Sequence, residues 1–275
     1  MNQPRIALLP WLVVLACAAC SSPPAATTPV ATRTAVQGTI VDLSHSYGDD
    51  TVFWPTAERF KMTVVNDGVT PAGFYYAANN FSTAEHGGTH IDAPVHFAKG
   101  RHAVDEIPLE NLVGAAVVVD VTGQSANDAD YLVTVADIEK FETAHGRIAD
   151  GTILLIRTGF SSRWPDAARY LGTAERGQAA VPKLHFPGID PATARWLKEQ
   201  RKIHAIGIDT ASIDRGQSTT NDTHQILYEA NIPGLENLTA LDKLPPVGAT
   251  IVALPMKIKG GSGAPLRAIA ILPPK

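Results

Sequence analysis

The chain has 275 residues, of which 45% are hydrophobic and 18% charged, with a formal net charge of −4. That composition belongs to a globular protein and excludes a disordered chain. The acidic balance lacks the basic footprint of a nucleic-acid binder, so no nucleic-acid partner is expected.

From the amino terminus, Arg5 is the only charge in residues 1–20, and 6–16 form an apolar run broken once by Pro10. The run is short for a membrane span. It ends in Cys17-Ala18-Ala19-Cys20. A charged start, a short apolar core and small residues before a cut site make a secretory signal. Cys20 resembles the lipidation site of a bacterial lipoprotein, with Cys17 where an aliphatic residue is usual. A plain cleaved signal, or a cut at Cys17, is the alternative. The expectation is an exported chain, lipid-anchored and facing the periplasm or the exterior, that meets a membrane only through this anchor. Both cysteines lie here, so the folded part must hold itself by core packing without disulfides.

Residues 21–37 are rich in Ser, Pro, Ala and Thr and read as a flexible tether. Residues 38–275 form the domain. Strands are predicted at 39–44, 60–65 and 73–82. Continuous apolar runs with β-branched residues at 114–121, 152–157, 203–208 and 249–254 suit strands buried on both faces. A last strand is predicted at 266–272. Thr134 caps a helix to about 144, Asp190-Pro191 opens one to about 200, and Asn221-Asp222 caps a short one to about 230. The fold class is α/β, a single mixed domain with a β-rich core and no internal repeat.

Three of the nine histidines and an aspartate fall within 86–96. Imidazole and carboxylate suit zinc, manganese or iron(II). His90 and Asp92 are two apart, so on a strand both point to one face. His86 has the same parity, but on a straight strand it would lie about 13 Å from His90 at about 3.3 Å per residue. That is too far to share an ion, given bonds of about 2.0–2.2 Å. The chain must therefore fold back, and Gly87-Gly88 permits the bend. His86, His90 and Asp92 make a three-ligand metal site, with His96 following at the same parity. A His-x-Asp pair also opens the iron(II) oxygenase triad, so spacing alone leaves hydrolysis and oxidation both open.

The run Glu85-His86-Gly87-Gly88-Thr89-His90-Ile91-Asp92-Ala93-Pro94-Val95-His96-Phe97 resembles the H-x-G-T-H-x-D-x-P-x-H-F signature of the cyclase family that includes bacterial kynurenine formamidases and isatin hydrolases. The segments 207–214, 224–238 and 260–267 resemble further family segments, and the likeness runs from about Gly38 to the carboxyl terminus. It implies a swivelling β/β/α fold, usually dimeric or larger. It implies His86, His90 and Asp92 as ligands of a first metal, and His224 and Glu236 as groups that help bind a second. His96 matches the family's proton-transferring histidine. The cofactor implied is a divalent metal, zinc or manganese, as one or two ions.

Read without the resemblance, His96 is a fourth ligand or a neighbour of one, His224 starts a helix and Glu236 is solvated. Phe53 and Trp54, and likewise Phe74 to Tyr76, are an aromatic wall for a planar substrate or core residues. Asp209 and Ser212 are candidates to orient ligands. Arg267 binds a product carboxylate or forms a structural ion pair. The expected activity is metal-dependent hydrolysis of an aryl formamide or a cyclic amide such as isatin, giving a carboxylate. A lactone hydrolase, a non-catalytic tethered binder of a metal or small acid, and an iron(II) oxygenase are the competing readings.

Overall fold

The computed structural model describes residues 38–274. The signal read at 1–20, with Cys20, and the tether at 21–37 lie outside the described residues.

The chain opens with β1 (Ile40–Asp42), the hairpin strands β2 (Lys61–Val69) and β3 (Tyr75–Ser82), and β4 (His90–Asp92). Then come β5 (Val113–Asp120), α1 (Thr122–Asn127), β6 (Leu132–Val133), α2 (Val135–His145), β7 (Ile153–Arg157), α3 (Ala167–Leu171) and β8 (Gly188–Ile189). The last third holds α4 (Pro191–Gln200), β9 (Ala205–Ile208), α5 (Asp222–Tyr228), β10 (Gly234–Glu236), β11 (Val247–Pro255) and β12 (Gly263–Ile271).

One sheet organises them, in the order β1-β12-β11-β5-β7-β9-β10-β4. β5, β7, β9 and β10 run parallel. β4 is antiparallel both to β10 and to the start of β12, so the sheet closes into a barrel. β1 pairs with the other end of β12. This is the expected mixed α/β domain with a β-rich core. The runs in β7 and β9 are buried on both faces, as their composition requires. Two others need correction: β5 starts exposed and is buried only towards Val118 and Val119, and β11 buries one face, Ala249, Ile251 and Ala253, while Leu254 on the other is exposed. In β7, Ile153 and Leu155 join one core, with Ile91, Val118 and Leu235. Leu154 and Ile156 join the other, beneath the helices, with Ile138 and Leu197. Each such side chain contributes roughly 1.5–3 kcal/mol by leaving water.

The helix signals resolve differently. Thr134 and Asp137 form a reciprocal capping box at α2, and Asp190 accepts from the Ala192 N–H at α4. At α5 the expectation needs correction. Asn221 is left-handed (φ 52°) and makes no side-chain cap. The carboxylate of Asp214 takes the cap instead, accepting from the N–H groups of Thr223 and His224 at 3.2 and 3.1 Å. The aromatic run Phe74 to Tyr76 is neither core nor pocket wall, because it sits on the β2–β3 hairpin with all three residues exposed. Arg267 pairs with Asp42 on the surface at 2.7 Å, which is the structural ion-pair reading.

Candidate metal centre and catalytic pocket

β4 is too short to show a period, yet its parity decides the site. His90 and Asp92 project to one face of the barrel wall. In the antiparallel register Glu236 of β10 stands opposite His90, so its carboxylate joins them. Asp92 is flanked by glycine on both sides, Gly234 on β10 and Gly263 on β12. A Cβ on Gly234 would lie 2.6 Å from the Tyr228 hydroxyl, and one on Gly263 would lie 2.5 Å from Cε1 of His86. The two glycines therefore make the room in which Tyr228 and His86 reach Asp92.

The expected fold-back is present. Gly87 and Gly88 have φ of 153° and 58°, and the bend brings His86 Nδ1 to 2.6 Å from Asp92 Oδ1. Two groups share Asp92. His86, His90 and Asp92 make one, and Asp92, His224 and Glu236 make the other, each with its ligand atoms within 4.8 Å of one another. All five residues expected to hold metal are thus brought together, and all but His86 are buried.

The hydrogen bonds decide what the cluster lacks. His90 Nδ1 lies 3.0 Å from the Gly88 carbonyl, and His224 Nδ1 lies 2.5 Å from Asp214. A carbonyl and a carboxylate only accept, so both ring nitrogens must donate outward. That leaves the Nε2 lone pairs facing inward. His90 Nε2 lies 3.1 Å from Asp92 and 3.5 Å from Glu236. His224 Nε2 lies 3.2 Å from Glu236 and 3.3 Å from Asp92. Inward lone pairs opposite carboxylates repel unless a cation or a proton lies between them. The buried Nε2 of His90 has no hydrogen-bond partner. An imidazole and carboxylate set with this unmet need fits a divalent cation.

The protonation energetics agree. Burial pushes the pKa of His90 down, but the nearby carboxylates of Asp92 and Glu236 outweigh it and hold the value above the ordinary one. Burial likewise opposes, and the hydrogen bonds of Asp214, Asp92 and Glu236 overcome, so His224 stands well above its ordinary value. Burial and the negative charge of Asp92 raise Glu236. Without metal, protons fill the role of the cation.

The cluster opens into a cavity of about 330 Å³. Its apolar wall includes Val52, Phe53, Trp54 and Phe97, and His96 lies beside the clustered imidazoles and carboxylates. Phe53 and Trp54 therefore line the pocket. Burial pulls the pKa of His96 down to about 4, so its imidazole is neutral at pH 7. Two other expectations split. Ser212 lines the cavity and its hydroxyl accepts from the Asp214 N–H at 3.2 Å. Asp209 does not touch the cluster. Its carboxylate accepts from Thr158 and the Gly159 N–H at 2.6–2.8 Å and so braces the loop after β7.

Sequence reasoning gave no role to Asp214 or Tyr228. Asp214 orients His224, and the Tyr228 hydroxyl donates to Asp92 Oδ2 at 2.9 Å. Only Tyr228 carried a signal, four residues after His224 and so on the same helix face.

Comparison with known proteins follows the same lines. The family profile described as "Putative cyclase" matches residues 41–215. An isatin hydrolase from Roseibium aggregatum is 34% identical over 209 residues, covering 73% of this chain and 77% of its own. A kynurenine formamidase from Salinibacter ruber is 30% identical over 233 residues, covering 84% and 96%. The solved structure of isatin hydrolase A from Ralstonia solanacearum superposes with a TM-score of 0.76 at 37% identity, covering 85% of this chain and 92% of that one. The profile match, the identities and the shared barrel agree on one conclusion: the chain belongs to the cyclase family of metal-dependent hydrolases.

Proposed function

We propose that this metal-dependent hydrolase opens the amide C–N bond of a small planar aryl substrate, a cyclic amide of the isatin type or an aryl formamide, to a carboxylate. One observation carries the reading: an inward-facing imidazole and carboxylate cluster lies at the base of an aromatic-walled cavity beside a neutral histidine. His86, His90 and Asp92 would hold one divalent cation, zinc or manganese, and His224 and Glu236 with Asp92 a second. When bound, such a cation makes water more acidic and polarises a carbonyl. The chain does the rest. Phe53 and Trp54 stack on the planar ring and exclude water. His96 takes a proton from the attacking water as its oxygen bonds to the carbonyl carbon. It then gives that proton to the nitrogen as the C–N bond breaks, without which the amine leaves poorly.

Two further readings have support of their own. The β2–β3 hairpin exposes apolar side chains on both faces. A lone two-stranded hairpin is marginal in water, which favours a homodimer or a higher homo-oligomer. A monomer in light scattering at micromolar concentration would refute that. The amino-terminal pattern supports export and lipidation at Cys20, which mass spectrometry of the mature amino terminus would test.

The activity test is the full chain loaded with manganese or zinc and assayed with isatin, N-formylkynurenine and a panel of lactams, lactones and formanilides. Amide turnover above that of the His96→Ala variant is expected. Turnover no greater than that variant's on every amide would overturn the reading, and turnover of lactones alone would redirect it.

A further inference from the structure

His86 differs from the other two clustered histidines. Its inward nitrogen is Nδ1, whereas His90 and His224 turn Nε2 inward. Three residues near the start of β12 account for this. The outward Nε2 of His86 lies 2.9 Å from Ser262 Oγ. That hydroxyl in turn lies 2.6 Å from Glu85 Oε2, which also accepts from the Ser262 N–H at 3.1 Å. A serine hydroxyl has one proton, and here it goes to the carboxylate. Ser262 Oγ must then accept from His86, so Nε2 carries the hydrogen and Nδ1 the lone pair.

The backbone shapes the seat as closely. A Cβ on Gly263 would lie 2.5 Å from His86 Cε1 and 3.0 Å from its Nδ1. A Cβ on Gly261 would lie 2.9 Å from Glu85 Oε1. The glycines on either side of Ser262 leave space for the ring and for the carboxylate that serves it.

We infer that Ser262 and Glu85 are positioning residues that lock His86 as an Nδ1 metal ligand, in a seat built by Gly261-Ser262-Gly263. The inference rests on the metal reading of the site and deepens it. The seat turns the Nδ1 lone pair towards Asp92 Oδ1, 2.6 Å away, and so ties this ligand pair to the start of the last strand.

The test is chelator-competition titration of the full chain with Mn(II) and with Zn(II), which needs no substrate. Ser262→Ala and Glu85→Ala are each expected to weaken binding by about 10–100-fold. The metal-free melting temperature should move by only a few degrees, and Glu85→Gln, which keeps an acceptor oxygen, should recover part of the loss. Nitrogen-15 NMR of the zinc-loaded protein, with His86 assigned through His86→Gln, should show hydrogen on Nε2. Metal affinity within twofold of the parent in both alanine variants, or a His86 coordinated through Nε2, overturns the inference. Should one alanine variant fail to fold, the other and the NMR tautomer decide. Failure to hydrolyse any amide would leave this result untouched, so the two proposals fail separately.

Discussion

The imidazole of His96 stacks on that of His86, with ring centroids 3.8 Å apart and planes 18° from parallel. Face-to-face contact with a second imidazole, together with burial, makes a positive charge on His96 costly. Its pKa falls to about 4, with burial as the largest cause. A general base must be unprotonated before it acts, and His96 is so throughout the neutral range. His96→Ala should therefore lower kcat by about 10²–10⁴-fold while metal content stays at the parent level. Stopped assays with elemental analysis check both. Loss of metal in step with activity would make His96 a ligand instead.

Asp92 offers its two oxygens to different partners, Oδ1 to His86 and His90, Oδ2 to His224 and Tyr228. Asp92→Asn replaces an anion by a neutral amide, a poor ligand for a hard cation, and one of its atoms becomes a donor. The fold should persist, because the flanking strands keep their backbone ladder. Bound metal per chain should fall to near background at micromolar concentration. Elemental analysis that finds unchanged content would remove Asp92 from the ligand set.

Stability should depend on pH with a sign that metal reverses. In the metal-free protein the folded pKa values of His90 and His224 lie above the ordinary histidine value. The folded state thus binds more protons than the unfolded one above pH about 6.5. That stabilisation is complete below about 6.5 and is lost as pH rises through the folded values. Calorimetry in chelator should show the melting temperature falling from pH 6.5 to 9. Added manganese or zinc supplies the positive charge instead, so its stabilising effect should grow over the same range. A chelated protein whose melting temperature rises with pH would contradict the electrostatics of the cluster.

These relationships were unevenly legible in the sequence. The parity of His90 and Asp92 and the bend at Gly87-Gly88 follow from local geometry alone, and both are present. The buried strands β7 and β9 announce themselves by unbroken apolar runs. Glu236 was different: only the register of β10 against β4 puts it beside His90, and three-residue strands carry no period to read. Its place, like that of His224, came from family resemblance. Asp214 caps α5 and holds His224 from a loop with no distinguishing pattern. Ser262 reaches His86 across 176 positions. Such contacts exist only once the barrel closes. The aromatic run at Phe74 misled because aromatic residues suit any half-covered strand, and what covers them is a tertiary matter.

Gly87 offers a last test, linking the bend to the pocket wall. Its φ of 153° lies where residues with a side chain are strained, and a Cβ there would lie 2.0 Å from Cδ1 of Phe53. Phe53 is 3% exposed and packed on the cavity, so its ring has little room to retreat. Gly87→Ala should therefore destabilise the protein by about 1–3 kcal/mol, the usual cost of overpacking, as read from urea unfolding. Relief of the clash would push the ring into the cavity or turn the bend that carries His86. The first outcome raises KM with metal content intact, and the second lowers metal affinity. A variant with unchanged stability, KM and metal content would show that neither the bend nor the aromatic wall depends on glycine at this position.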